Sequence, residues 1–286
     1  MVEQVIQSLI TNKHGTYVDC TFGAGGHSLA ILEALGLKGR LTYLDKDVTS
    51  NDIARKIRSN DKRMSFIHDS FKNLKEHFEL KSLDGVLLDL GISSNQLDDP
   101  KRGFSFQKLG PLDMRMDRSN KLSAEIWINN SSRKEIERVL RELGQEKKSK
   151  KIAEKICQRR QKEAIKTTKD LTDIVLSCKK RKSKKHPATD TFRAIRMIVN
   201  NELGELVEAL EVVGKVLKKG GRLVVISFNS LEDRIVKRFI KGMGSSNKDL
   251  LFNLVGGKPL KPELKELKRN PRSRSAILRV AEKVVE

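Results

Sequence analysis

Residues 16–28 read "TYVDCTFGAGGHS", and this stretch decides the fold class. Thr16–Thr21 is rich in β-branched and aromatic side chains, which suit a pleated strand. It runs into Gly23-Ala24-Gly25-Gly26, and beyond Ser28 the apolar positions Leu29, Ile31, Leu32 and Leu35 take up helical spacing. A strand that turns through glycines directly into a helix opens a nucleotide-binding βα unit, because glycine lets backbone approach a ligand closely.

Outward from this unit, a strand is expected at Arg40–Leu44, ending at Asp45. Helical residues follow around Ile53–Ile57, then a short strand at Met64–Ile67. Asp84–Leu90, "DGVLLDL", is a nearly continuous apolar run of the kind a buried parallel strand carries. Strands alternating with helices predict an α/β doubly wound sheet. The alternation stops near Lys101, and no strand pattern is seen before Asn201. Ser132-x-x-Glu135 reads as a capping box opening a helix that reaches Leu143 and stops at Gly144. Lys147–Lys162 is a basic helical stretch with Ile152, Ala153 and Ile156 on its apolar face. Thr168–Cys178 is a further helix, and Lys179–Lys185 a basic loop. Near Leu203 the sheet pattern returns: a helix carrying Leu206, Leu210, Val213 and Leu217 ends in Gly220-Gly221. Strands are then expected at Arg222–Phe228, Leu250–Val255 and Ala276–Ala281. The organisation expected is one sheet domain, residues 1–101 and 203–286, interrupted by a helical, basic insert at 102–202.

The glycine turn and Asp45 together suggest a cofactor. A carboxylate about 20 residues after the glycines, at the end of the next strand, can accept from both hydroxyls of a ribose. NAD, FAD and S-adenosylmethionine all fit that much. The dinucleotide fingerprint wants a third glycine where this chain has Ser28, and Asp19 lies upstream in the strand. A pyrophosphate is disfavoured beside Asp19, whereas the cationic sulfonium and ammonium of S-adenosylmethionine are not, so S-adenosylmethionine is preferred. At the end of the fourth strand, residues 89–96 read "DLGISSNQ", polar groups at the carboxyl edge where open α/β sheets bind ligands. Methyl transfer to an exocyclic amine needs acceptors that orient the amino protons. Asp89, the Ser93 hydroxyl and the Asn95 carbonyl are the candidates.

The chain has 286 residues, with 58 Lys and Arg against 37 Asp and Glu, a net charge of +21. Such a field attracts polyanions, and nucleic acid is the leading partner. No apolar run approaches the roughly 18 residues of a membrane span. Residues 1–10 lack the basic-then-apolar pattern of a signal peptide. Cys20, Cys157 and Cys178 form no CxxC pair, which argues for a reducing compartment and against a metal site. A cytoplasmic protein without membrane association is expected.

Several blocks together identify a family. "TFGAGGHS" (21–28), "LDLGISS" (88–94) with Gln96-Leu97-Asp98-Asp99, "RGFSF" (102–106), "GPLDMRMD" (110–117), His186-Pro187-Ala188-Thr189, "SLEDRIVK" (230–237) and "RSRS" (272–275) occur in order over almost the whole chain. This pattern resembles the ribosomal RNA small subunit methyltransferase H family (RsmH, formerly MraW). The resemblance implies a class I methyltransferase fold, Rossmann-like, with a helical insertion. It implies S-adenosylmethionine as methyl donor and N4-methylation of cytidine 1402 of 16S ribosomal RNA, in the decoding region of the small ribosomal subunit. The substrate it implies is RNA, not DNA. The family's cofactor contacts map onto Gly25, Gly26, His27, Asp45, Phe71, Asp89 and Gln96. Three departures stand out. The sequence opens at Met1-Val2-Glu3, past the point of the family's His-x-Pro-Val segment, so either the start lies upstream or the segment is lost; the family's "SFHSLEDR" has Asn229 in place of histidine, and Asn95 replaces a proline.

A non-catalytic RNA-binding factor would not need Gly25, Gly26, Asp45 and Asp89 together, and a dinucleotide oxidoreductase is disfavoured by Ser28 and by the charge. The insert, with Lys151, Arg159 and Arg160, is expected to carry much of the RNA affinity. Lys180, Arg181, Lys184 and Lys185 are expected to make phosphate contacts, because few aromatics accompany these cations. Selectivity is expected from Asp113 and Arg115.

Overall fold

A computed structural model describes residues 1–57, 61–179, 186–243 and 252–285. In chain order its helices are α1 (Val2–Leu9), α2 (Gly26–Ala34), α3 (Val48–Ile57), α4 (Leu74–His77), α5 (Ser94–Asp98), α6 (Ala124–Asn130) and α7 (Arg133–Glu142). They continue with α8 (Ser149–Arg160), α9 (Thr168–Cys178), α10 (Thr189–Val199), α11 (Glu202–Val216), α12 (Ser230–Ile240) and α13 (Leu264–Arg269). The strands are β1 (Thr16–Asp19), β2 (Arg40–Asp45), β3 (Met64–His68), β4 (Leu83–Asp89), β5 (Leu217–Ser227), β6 (Phe252–Leu254) and β7 (Ile277–Lys283). The chain divides into two compact units. One comprises Met1–Gly91 and Leu203–Glu286, the other Ile92–Glu202.

The first unit is built on a seven-stranded sheet in the order β3-β2-β1-β4-β5-β7-β6. The pairs β1–β2, β1–β4, β2–β3 and β4–β5 are parallel, while β7 runs antiparallel to both β5 and β6. The expected doubly wound α/β sheet is present. Period-two alternation decides which face each strand residue covers. Val18, Val86, Leu88, Leu223 and Val225 pack under Leu206, Leu210 and Val213 of α11 and Val236 and Phe239 of α12. On the other face, Tyr17, Leu41, Leu87, Val224 and Leu278 join Val5 and Leu9 of α1 and Ile31 and Leu32 of α2. Burial on both faces is why β4 reads as an unbroken apolar run.

Two expectations about the sheet are corrected. The helix that carries Leu206, Leu210 and Val213 stops at Val216, not at Gly220-Gly221. Leu217 already belongs to β5 and pairs with Leu83, and the register then shifts so that Arg222 pairs with Gly85. Gly220, at φ 79°, provides the left-handed backbone this irregularity needs. The antiparallel partner β7 extends to Lys283, beyond the expected end at Ala281, and β6 covers Phe252–Leu254 of the expected Leu250–Val255, whose first two residues lie outside the described residues.

The second unit has its own core, in which Trp127, Ile136, Val139, Ile152, Ile156, Val175 and Phe192 are buried together. α9 covers the expected residues. Its cap is a full capping box between Thr167 and Asp170 that sequence reading missed. At α7 only half of the expected box forms. The Ser132 side chain accepts from Glu135 N–H, while the Glu135 carboxylate pairs with Arg138 at 2.7 Å. "GPLDMRMD" is a packed loop. Leu112, Met114 and Met116 are buried, and the Asn200 side chain bridges the loop by donating to Met114 O and accepting from Met116 N–H, both at 2.7 Å. No described helix is long and apolar enough to cross a membrane. The described residues contain no group of three His, Cys, Asp or Glu that could hold a metal, and the three cysteines are free.

Candidate active site

The carboxyl ends of β1, β2, β3 and β4 bring the chemistry of the first unit to one edge. After β1 the chain turns at Gly23 and Gly25, both with positive φ, 55° and 81°. Gly25 ends the turn as the left-handed N-cap of α2, with no side chain capping that helix. Its first-turn N–H groups are therefore left for a ligand. A Cβ built at Gly26 meets nothing within 4 Å, so there is open space directly over the turn.

Ser28 stands where a dinucleotide site has its third glycine. It is fully buried, and its hydroxyl donates to Asp19 Oδ2 at 2.7 Å. Thr21 N–H donates to the other oxygen, Asp19 Oδ1, at 3.1 Å. Asp19 therefore lies behind the loop as an internal carboxyl, and burial raises its pKa to about 6 despite these bonds. The strand-to-helix junction is locked by a serine–carboxylate pair.

Asp45, at the end of β2, already has protein partners. Its Oδ2 accepts from Gly23 N–H and from Ser50 Oγ, each at 2.8 Å, and its Oδ1 accepts from Asp47 N–H at 2.8 Å. A carboxylate offers about four acceptor positions, so roughly one remains for a ribose hydroxyl. Asp45 is the brace of the glycine turn as well as a candidate ligand residue. Burial raises its pKa. Phe71 opens a single 3-10 turn just after β3, and its ring is half-buried against the sheet core.

Asp89 closes β4. Its N–H donates to Thr21 Oγ1 at 2.7 Å, and its Oδ2 lies 3.6 Å from His27 Nε2. An ordinary ion pair would raise the histidine pKa and lower that of the carboxyl. Here burial is the largest influence on both groups, and both shifts run the opposite way. Desolvation pushes Asp89 up to about 7, with the Asp19 charge adding to it, and pushes His27 down to about 4. Near neutral pH the imidazole is uncharged, and the carboxyl holds its proton to a far higher pH than an ordinary aspartate. Asp89 Oδ1 and His27 Nδ1 are both buried without a hydrogen-bond partner among the described residues. Buried polar atoms are rarely left so, and two together at a sheet edge beside an open glycine turn fit a polar ligand.

The remaining candidates belong to the second unit. Ser93 is the N-cap of α5. Its hydroxyl accepts from Gln96 N–H at 3.2 Å, and Gln96 Oε1 accepts from Ser93 N–H at 3.0 Å. This reciprocal box uses groups considered for substrate or cofactor, whereas Asn95 is exposed on the helix. Asp113 and Arg115 form a two-pronged pair, Nε to Oδ1 at 2.8 Å and the terminal nitrogen to Oδ2 at 2.9 Å. Arg115 also donates to Arg118 O and Asn120 O. Burial disfavours the Asp113 carboxylate, yet the Arg115 bonds hold its pKa below the usual value. Both side chains are engaged in folding their own loop. Arg159 pairs with Glu163 at 2.8 Å, Arg160 donates to Ile128 O at 2.6 Å, and Lys151 is exposed. Lys180, Arg181, Lys184 and Lys185 lie outside the described residues.

Four residues have supporting roles that the sequence alone did not assign. Thr21 and Ser50 hold Asp89 and Asp45. Asn229 caps α12, accepting from Leu231 and Glu232 N–H, and Glu232 in turn accepts from Phe228 N–H at 2.9 Å. Asparagine is among the best N-caps, so Asn229 fills a structural role at the start of α12. Only the Asn-x-x-Glu spacing of this cap was available in advance.

The model of the MraW methylase family matches residues 1–284. Among curated relatives, ribosomal RNA small subunit methyltransferase H of Coxiella burnetii (strain Dugway 5J108-111) is 44% identical, covering 99% of this chain and 97% of that protein. The protein of the same name from Methylococcus capsulatus is 45% identical, covering 99% of each.

Proposed function

The chain belongs to the MraW methylase family, and from that membership we propose that it transfers a methyl group from S-adenosylmethionine to the exocyclic N4 of cytidine 1402 of 16S ribosomal RNA, in the small subunit. Relatives matched over nearly their whole length that carry the small-subunit methyltransferase name support the RNA substrate. The observation that carries the chemistry is the buried, unpartnered Oδ1 of Asp89 at the end of β4, on a carboxyl whose pKa burial raises.

S-adenosylmethionine supplies an electrophilic methyl group on a sulfonium. The α2 N–H groups are suited to its carboxylate, the remaining acceptor of Asp45 to a ribose hydroxyl, and the Phe71 ring to the adenine. Asp89 Oδ1 would accept a hydrogen bond from the amino group of the target base, aligning its nitrogen lone pair. As the nitrogen becomes cationic, Asp89 takes the proton, and a pKa of about 7 suits a base at neutral pH. Neutral His27, 3.6 Å away, leaves the charge of Asp89 uncompensated. Glu232, buried nearby, also raises the Asp89 pKa.

The test is nucleoside mass analysis and fragment mapping of small-subunit RNA after incubation with protein and S-adenosylmethionine. One added methyl at N4 of the named cytidine is expected. A methyl elsewhere, or none on either naked RNA or assembled subunits, would overturn the proposal.

A further inference from the structure

The block "RSRS" at 272–275 does nothing in the chemistry above. Between Lys258 and Arg274 the chain carries seven cations and two carboxylates, with no aromatic residue. Lys261, Lys265, Lys268, Arg269, Arg272 and Arg274 are all exposed. Among the described residues, no ion pair engages Lys265, Lys268, Arg269 or Arg274. A strip of this charge density with so few counter-charges is held together against its own repulsion, which a partner of opposite sign would relieve.

Its place in the first unit follows from register. The 3-10 turn Pro271–Ser275 leads directly into β7, whose first residue Ile277 pairs with Ser227 at the carboxyl end of β5. The neighbouring residue of β5, Ile226, pairs with Asp89. Adjacent strands are about 4.8 Å apart, so the turn emerges roughly two strand spacings from Asp89, on the reactive edge. α13 is fixed there too. Gln4 of α1 donates to Lys261 O at 3.2 Å, α1 packs on α2, and α2 begins with the His27 turn.

We infer that α13 and the 271–275 turn form a phosphate-gripping track on the sheet unit itself, which holds the RNA strand next to the target base. The inference rests on the RNA methyltransferase reading and assigns to this unit a part of the RNA affinity expected of the insert. Cations without aromatics favour phosphate contacts over base stacking. Such contacts position the strand and do not read its sequence.

The experiment compares two triple variants of the full chain. One is Lys268→Gln, Arg269→Gln and Arg274→Gln. The other is Lys13→Gln, Lys38→Gln and Lys62→Gln, which removes the same charge from exposed positions ahead of β1, β2 and β3, at the opposite edge. Affinity for a small-subunit RNA fragment is measured over a potassium chloride series, and S-adenosylmethionine affinity by calorimetry reports an intact fold. At about 0.7 per phosphate contact on a single strand, the first variant should lower the magnitude of the salt slope by about 2 and weaken RNA binding about tenfold or more. The control should lose less than about threefold, and cofactor affinity should stay within about twofold in both. Equal effects of the two variants, or an unchanged slope in the first, overturn the track while parental methylation leaves the function standing. A parental protein that neither binds nor methylates the RNA removes both.

Discussion

Replacing Asp89 by asparagine separates its electrostatic cost from its catalytic role. The folded-state pKa of Asp89 is about 7, against an ordinary value of 3.8. Between those values the folded protein holds a proton that the unfolded chain has released. Stability therefore falls as pH rises through that window, and the full cost is present above pH 7. At 1.36 kcal/mol per pH unit, the cost has an upper bound of about 4 kcal/mol, and the 29% exposure of the side chain brings it nearer to about 2 kcal/mol. An amide at this position cannot ionise, so Asp89→Asn should match or trail the parent at pH 4 and exceed it at pH 8. Denaturant midpoints followed by circular dichroism at each pH unit give the difference directly. The same variant should lose about 100- to 10,000-fold in methyl transfer, with cofactor still bound. A stability difference that is flat from pH 4 to 8 refutes the desolvated carboxyl. Normal single-turnover methylation removes Asp89 from the proton's path.

Asp45→Ala should weaken S-adenosylmethionine binding about ten- to a hundredfold, measured by calorimetry, and should also lower thermal stability by about 2–4 kcal/mol, because Gly23 N–H, Asp47 N–H and Ser50 lose their acceptor. Asp45→Asn, which keeps one acceptor, should recover part of both. Ser28→Ala removes the hydroxyl that stabilises ionised Asp19, so it should cost about 1–3 kcal/mol at pH 8 and less at pH 5, where Asp19 is largely protonated in the fold; an equal cost at both pH values would contradict the pairing. Asn229→Ala should cost about 1 kcal/mol in melting experiments through loss of the α12 cap, whereas a loss confined to catalysis would point to a chemical role.

Strands β1–β4 and the glycine turn were legible because local pattern decides them: apolar runs bounded by glycine or carboxylate at the ligand edge. The positions of Asp45 and Asp89 followed from the same pattern. What they touch did not, since Thr21 meets Asp89 and Gly23 meets Asp45 only through tertiary folding, across 68 and 22 residues. Gly220-Gly221 reads as a helix stop because such pairs usually follow helices, and only the partner strand reveals the bulge. α10 lacked an opening signal, for its N-cap is Ala188 and no side chain caps it. Asp113 and Arg115 look like a free acid and base two residues apart. Met114, at φ 60°, kinks the chain so that they clasp each other, and no sequence pattern announces a left-handed methionine.

The insertion point has a consequence for synthesis. β4 is complete long before its neighbour β5 exists, since Asp89 waits for Ile226, made 137 residues later. At ribosomal speeds that interval is on the order of ten seconds. Throughout it, a seven-residue apolar strand presents one unpaired edge, the kind of surface that invites pairing with another nascent chain. The intervening Ile92–Glu202 segment can fold onto its own core meanwhile. The hazard then lies in β4 alone, and expression yield should respond to mutations on that strand more than to equally buried ones in the helical unit.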